Sequence, residues 1–214
     1  NKKRIKLGFL CGELRNHPTF YLIRNLFINI RSPDLCIYMF SYNHNDEKKN
    51  SIINDFDEFI DITNLSFLDG NKKIKSYQLD ILIDLTSIIS HNRINMLDKS
   101  TAKIIIAYLA FPGTTGNQLY DYVLTDRIVT PEIMQNFYTE KFLYLPDSYQ
   151  INNGEFNTEI RTNRESYNLP NDSVVLGCLN QSFKLDPVFF NIWIEILRDY
   201  KNTCLWLLDE GNDM

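Results

Sequence analysis

A chain of 214 residues, 44% apolar and 23% charged, has the make-up of an ordinary globular protein with one large domain or two small ones. A formal charge of -5 with dispersed lysines and arginines leaves no basic face, which argues against a nucleic-acid partner. No apolar run approaches the roughly 20 residues that a bilayer span needs, and the start "NKKRIKLGFL" has no signal-peptide core, which argues against a membrane partner.

Taken in chain order, short apolar runs alternate with amphipathic segments. Strands are predicted at 5–10 (IKLGFL), 36–42, 58–63, 81–86, 103–109, 122–125 and 141–145. Helices are predicted at about 19–31, 46–56, 70–79 and 131–138, the first with Phe20, Ile23, Leu26, Phe27 and Ile30 at helical spacing. Continuous Ile, Leu and Val runs separated by helices point to an α/β protein with a Rossmann-like parallel sheet covered on both faces. Residues 1–146 form this first unit, and the polar, Asn-rich stretch 147–172 reads as a linker or inserted loop. Within 173–214 come a strand (174–179), a helix (186–200) capped by Asp186 with Pro187 at its first position, and a strand (204–208). So small a βαβ segment cannot bury its own sheet faces, so it reads as the incomplete opening of a second Rossmann-like domain or as an appendage on the first. Trp193 and Trp206 lie in its apolar pattern and are expected in a core. Cys11, Cys36, Cys178 and Cys204 are isolated, with no CxxC pair, and read as reduced, mostly buried thiols of a cytoplasmic protein without a zinc site.

Three turns attract attention, because the C-terminal ends of parallel strands form the ligand crevice of such folds. In "CGELRNHPTF" His17 precedes Pro18, which biases it away from helical geometry, and Thr19 stands at the helix start. An imidazole there suits a general base near neutral pH, while the plainer alternative is a helix capped by Asn16 or Thr19 beside a solvated His17. In "LNQSFKLDP" Gln181 and Lys184 lie between strand and helix, where an ammonium and backbone N–H groups suit a phosphate; the alternative is a capped turn with an exposed lysine. The turn "FPGTTG" after the 103–109 strand has glycines that allow close approach of a ligand, or simply a tight bend. On the residues alone, the plain alternative is the favoured one at His17 and at Lys184.

Together the stretches "LGFLCGELRNHPTFYLI", "LAFPGTTGNQLYDYVLTDRIVTPEIMQNFYTEKFLYLP" and "CLNQSFKLDP…CLWLLDE" resemble, in order and spacing, the catalytic region of the O-linked N-acetylglucosamine transferase family. The resemblance covers nearly the whole chain and is most specific over 107–146. It implies a GT-B glycosyltransferase with two Rossmann-like domains and no metal. It also implies a UDP-sugar donor (UDP-N-acetylglucosamine or another sugar), a Ser/Thr protein acceptor and inversion at the anomeric carbon. By position, His17 corresponds to an active-site histidine, and Pro18 and Thr19 line the same pocket. Leu109 and Pro112 lie beside the donor sugar; Gln181 contacts the nucleotide, and Lys184 neutralises the diphosphate leaving group. The resemblance reverses the balance at His17 and Lys184. Departures are Ala110 for glycine, Phe111 for tyrosine, and "TSIISHNRI", which keeps only Arg93 of the family's loop. Since the family's remaining nucleotide contacts follow this region, and a further histidine and tetratricopeptide repeats precede it, the 214 residues alone are expected to be inactive. The alternative is a non-catalytic module of the same fold that binds a protein partner or a nucleotide.

Overall fold

The computed structural model describes residues 3–152, 154 and 162–209, and within them the predicted strand runs form two parallel sheets. The chain divides into two units, Asn1–Gly154 and Glu155–Met214. The first contains β1 (Ile5–Cys11), α1 (Pro18–Ile23), α2 (Leu26–Asn29), β2 (Leu35–Ser41), α3 (Asp46–Ile52) and β3 (Glu58–Asp61). It continues through α4 (Phe67–Ser76), β4 (Leu79–Asp84), β5 (Ala102–Ala107), β6 (Tyr122–Thr125) and β7 (Lys141–Tyr144). The strands run in the order β3-β2-β1-β4-β5-β6-β7, every neighbouring pair parallel.

Side chains alternate across β1 and so feed two apolar clusters. Leu7, Phe9 and Cys11 join Phe20, Ile23 and Phe27 of α1 and α2 in one cluster, while Leu10 joins Phe40, Ile74 and Leu82 in the other. The helices α3 and α4 are started by side chains of the expected kind. Asn45 accepts from the Lys48 N–H ahead of α3, and Ser66 accepts from the Asp69 N–H ahead of α4. No helix among the described residues is long and apolar enough to cross a membrane.

Several predicted elements differ in detail. The helix expected over 19–31 is broken between α1 and α2, at Arg24 and Asn25. The α4 helix starts earlier than expected because Ser66 caps it at a place the apolar spacing does not mark, and Gln78 ends it in the left-handed region (φ 53°). Over 131–138 only a 3-10 stretch forms, Glu132–Phe137: the Gln135 side chain donates to Glu140 O and accepts from Phe142 N, pinning too short a segment for a stable α-helix.

The second unit contains β8 (Val174–Cys178), α5 (Pro187–Asp199, capped by Asp186) and β9 (Thr203–Leu207), with β8 and β9 parallel. Trp193, Trp206 and Tyr167 do not enter a sealed core: both tryptophans are half-buried, and the Tyr167 and Trp206 rings lie 5.2 Å apart. Of the stretch 147–172, Tyr149 and Ile151 pack on the first unit, and 153 and 155–161 lie outside the described residues, as do 1–2 and 210–214. All four cysteines are free thiols; Cys11 is buried, with its thiol pushed up to about 12 by desolvation, and the other three are only half-buried.

Candidate functional site

From β1 the chain steps outward to β2 and β3, then returns to β4 on the other side of β1. In a parallel α/β sheet this reversal opens a crevice at the C-terminal ends of the two strands. The two ends are fastened to each other by the Gly12 N–H, which donates to Thr86 Oγ1 at 2.9 Å. Gly12 has to lack a side chain, since a Cβ there would lie 2.4 Å from the Tyr42 ring. Asp84, buried at the end of β4, accepts from the Thr86 and Ser87 N–H groups through Oδ1 and from the Tyr120 hydroxyl through Oδ2 at 2.7 Å. Burial raises its carboxyl above the usual carboxylate range, against the pull of those donors, so this frame holds a costly buried acid in place.

His17 stands directly on this edge. It is itself the N-cap of α1: its backbone is extended (φ -142°, ψ 145°), as a residue before proline should be, and its Nδ1 accepts from the Thr19 N–H at 3.2 Å. The cap is therefore neither Asn16 nor Thr19. Asn16 instead accepts from the Tyr21 hydroxyl, and Thr19 is buried with Phe20 and Ile23 under the first turn of α1. Pro18 fills the first helical position and is exposed. The His17 side chain is 30% exposed, so part of the ring is reachable from solvent. Behind it Glu13, 4% exposed, brings Oε2 to 3.8 Å from His17 Nδ1 and 2.8 Å from Arg15 Nη2. The approach of Arg15 is an ion pair out of hydrogen-bonding line, and Glu13 Oε2 is left without a hydrogen-bond partner.

The turn after β5 completes the same edge. Tyr108 N donates to Asp84 O, and Leu109 sits in the left-handed region (φ 71°) at the centre of a γ-turn closed by Ala110 N and Tyr108 O. A leucine there is strained, and such strain persists only where the surroundings enforce it. They do. Glu140, 1% exposed, accepts from the Thr115 N–H at 2.9 Å and from the hydroxyls of Thr114 and Thr115, while the Tyr138 hydroxyl donates to Pro112 O at 3.0 Å. Burial pushes the Glu140 carboxyl up, but the bonds from Thr115 and Thr114 outweigh it and its net displacement is downward. Leu109 is buried in the cluster that also holds Leu14 and Leu85, so the turns after β1, β4 and β5 share one apolar floor. Phe111 stands exposed above, its ring so close to Gly113 that a Cβ there would have to displace it.

Gln181 and Lys184 belong to the second unit. Gln181 precedes a 3-10 turn, Ser182–Lys184, that leads to Asp186 and α5; both side chains are exposed, and Lys184 Nζ lies 5.8 Å from the centre of the Phe183 ring. The five expected residues of the first unit thus lie at the ends of β1 and β5 on a single sheet edge, and the other two lie together in the β8–α5 turn. Sequence reasoning did not single out Glu13, Asp84, Thr86 or Glu140. Glu13 had a usable signal, a carboxylate four residues before a histidine in a strand-to-helix turn; Glu140 had none, because its partners are 25 and 26 residues away. Among the described residues no group of three His, Cys, Asp or Glu side chains is placed to hold a metal ion.

The model of the family described as glycosyl transferase family 41 matches residues 1–158 and 152–211. A probable UDP-N-acetylglucosamine–peptide N-acetylglucosaminyltransferase SEC of Arabidopsis thaliana is 32% identical over 96% of this chain and 22% of its own length. A UDP-N-acetylglucosamine–peptide N-acetylglucosaminyltransferase of Caenorhabditis elegans is 26% identical over 71% of this chain and 13% of its own. The chain therefore spans less than a quarter of the length of these relatives. Among solved structures, a K341M mutant of the Thermobaculum terrenum O-GlcNAc transferase superposes with a TM-score of 0.85 and 23% identity, covering 96% of this chain and 39% of that one, which speaks to the fold.

Proposed function

The chain belongs to glycosyl transferase family 41, and on that basis we propose that it is part of a glycosyltransferase moving N-acetylglucosamine, or another sugar, from a UDP-linked donor to a Ser or Thr hydroxyl of a protein. The observation that carries this reading is the position of His17, half-open at the sheet's topological switch beside the strained Leu109 turn. In the proposed step the acceptor oxygen bonds to the anomeric carbon as the bond from that carbon to the phosphate oxygen breaks. The hydroxyl proton goes to His17 Nε2, and the electron pair leaves on the diphosphate. A cation that holds the developing charge there accelerates the step, and Lys184 has this role, with Gln181 on the nucleotide. Pro18, Thr19, Leu109 and Pro112 line the sugar. No metal is required in this scheme. The protein is read as cytoplasmic, with neither nucleic acid nor membrane as partner and with tetratricopeptide repeats upstream that present acceptors.

The alternative, a non-catalytic module of this fold that binds a protein or a nucleotide, draws on one observation. The 86–94 stretch spends its polar groups inward: Thr86 on Gly12, and Arg93 on the carbonyls of Ile62, Thr63 and Leu65. Transfer assays decide between the two, using the full-length gene product, UDP-N-acetylglucosamine and a Ser/Thr peptide. Expected are measurable transfer and a loss of at least about 100-fold in kcat/KM in both His17→Ala and Lys184→Ala. Nucleotide binding without any transfer selects the module instead.

A further inference from the structure

Among the buried acids that the scheme above does not use, Glu13 is the one that faces His17. We infer that Glu13 is a positioning residue for His17, supplying the acceptor that lets the ring carry its inner proton on Nδ1 and so keep the lone pair on Nε2. This rests on the reading of His17 as the proton acceptor.

A neutral imidazole has one N–H and one lone pair, so its inner nitrogen can satisfy only one kind of partner at a time. His17 Nδ1 faces two of opposite kind. The Thr19 N–H at 3.2 Å needs a lone pair there, which puts the proton on Nε2 and turns that nitrogen into a donor unable to take a hydroxyl proton. Glu13 Oε2, at 3.8 Å, needs a proton there, which frees Nε2 as a base. A small rotation of either side chain closes that gap to hydrogen-bonding distance at the expense of the Thr19 contact.

The burial argument favours a working role for the carboxylate over a packing one. Glu13 lies among Cys11 and Leu14, both 0% exposed, where a leucine would fill the space without the desolvation penalty of a charge. Its Oε2 has no hydrogen-bond partner, and Arg15, out of line at 2.8 Å, balances the charge without satisfying that oxygen. An unsatisfied buried oxygen aimed at the inner nitrogen of a half-open histidine is the arrangement by which carboxylates orient imidazole bases. During transfer the hydroxyl proton moves to Nε2 while the Nδ1 proton stays against Glu13. The cation so formed lies beside a buried anion.

The test needs no activity. The chain has three histidines, His17, His44 and His91, so two-bond proton–nitrogen NMR correlations on the labelled chain assign the protonated nitrogen of each. Above about pH 8, where imidazoles are neutral, His17 of the native chain is expected to show Nδ1–H character. In Glu13→Leu and Glu13→Ala it is expected to be wholly Nε2–H, with the His44 and His91 signals unmoved. A native His17 wholly in the Nε2–H form, or Nδ1–H character that survives in both variants, overturns the inference. In the full-length gene product Glu13→Leu is expected to lower kcat at least tenfold with the donor KM within twofold; an equal change in both parameters assigns Glu13 to structure alone. If the native protein transfers no sugar while the tautomer result holds, the glycosyltransferase reading fails and the Glu13–His17 pairing stands.

Discussion

The two units are built from the same local parts and differ in what those parts bury. In the first, β1, β2, β4 and β5 lie between neighbours with apolar clusters on both faces, and Phe9, Leu10, Phe40 and Leu82 are sealed from solvent. In the second, a strand, a capped helix and a parallel strand form just as regularly, yet no apolar side chain among its described residues is fully buried, and Val188 and Phe189 of α5 are 66% and 61% exposed. Capping, helical spacing and strand pattern are local properties and appear wherever the sequence writes them. Burial needs partners. Element formation and stability are thus separate consequences of one chain.

The largest expected effect comes from equivalent truncations in the two sheets. Leu82 sits in the middle of β4, paired with Gly8 and Ile105 and 0% exposed; Leu205 sits in the middle of β9, paired with Leu176 and half-buried. Leu82→Ala is expected to cost about 2–5 kcal/mol, transfer and cavity together, and Leu205→Ala about 1 kcal/mol or less. Both tryptophans of the chain, Trp193 and Trp206, lie in the second unit, so their fluorescence follows it in denaturant titrations while far-UV circular dichroism is dominated by the first. Equal losses at the two leucines would erase the contrast.

A smaller effect is expected at Glu140, where the contrast can be sharpened with pH. Glu140→Ala removes the acceptor of the bonds from Thr114 and Thr115, so their donors lose a partner at a cost of about 1–3 kcal/mol, seen in circular dichroism and not in tryptophan fluorescence. The sign follows from the downward displacement of its carboxyl in the folded state. A depressed folded value means stability that is complete above the ordinary glutamate value, about 4.3, and lost as pH falls through the lower folded value. The gap between the native chain and Glu140→Ala is therefore expected to be full at pH 7 and to shrink progressively below about pH 4. A gap that widens on acidification contradicts the assignment.

How much of this was legible in the sequence follows the same division between local and distant. The strands could be read from apolar runs, and Asp186 with Pro187 marked the start of α5, because both signals lie within a few residues of their effect. The turns that carry the expected site residues were legible for the same reason. What could not be read depended on which side chain takes which partner, near or far along the chain, and apolar spacing does not record that. The break between α1 and α2 leaves no periodic trace, and the 3-10 geometry of Glu132–Phe137 comes from Gln135 being drawn to Glu140 and Phe142. Glu140 reads as a surface acid beside Lys141 and becomes the anchor of the Thr114–Thr115 bend only when β5 and β7 are placed in one sheet. His17 was legible as a residue and not as a cap, since histidine is an uncommon N-cap and the choice of nitrogen depends on Glu13 as well as Thr19.

The smallest expected effect removes a rival explanation of the contrast. The first unit carries the exposed pairs Lys75–Asp98 (2.6 Å), Lys99–Asp121 (2.8 Å) and Lys103–Asp80, which could be taken as the source of its greater solidity. The Asp98 carboxyl is held well below the usual range by the Lys75 ammonium and then by Ser100. Its side chain is nevertheless 50% exposed, so solvent and salt screen most of the attraction. Lys75→Ala is accordingly expected to cost about 0.5 kcal/mol or less at neutral pH. The cost should fall further in high salt and vanish as Asp98 is protonated in acid, since a depressed carboxylate contributes stability only above its folded value. A loss comparable to that of Leu82→Ala would move the source of the first unit's stability from its covered sheet to its charged rim.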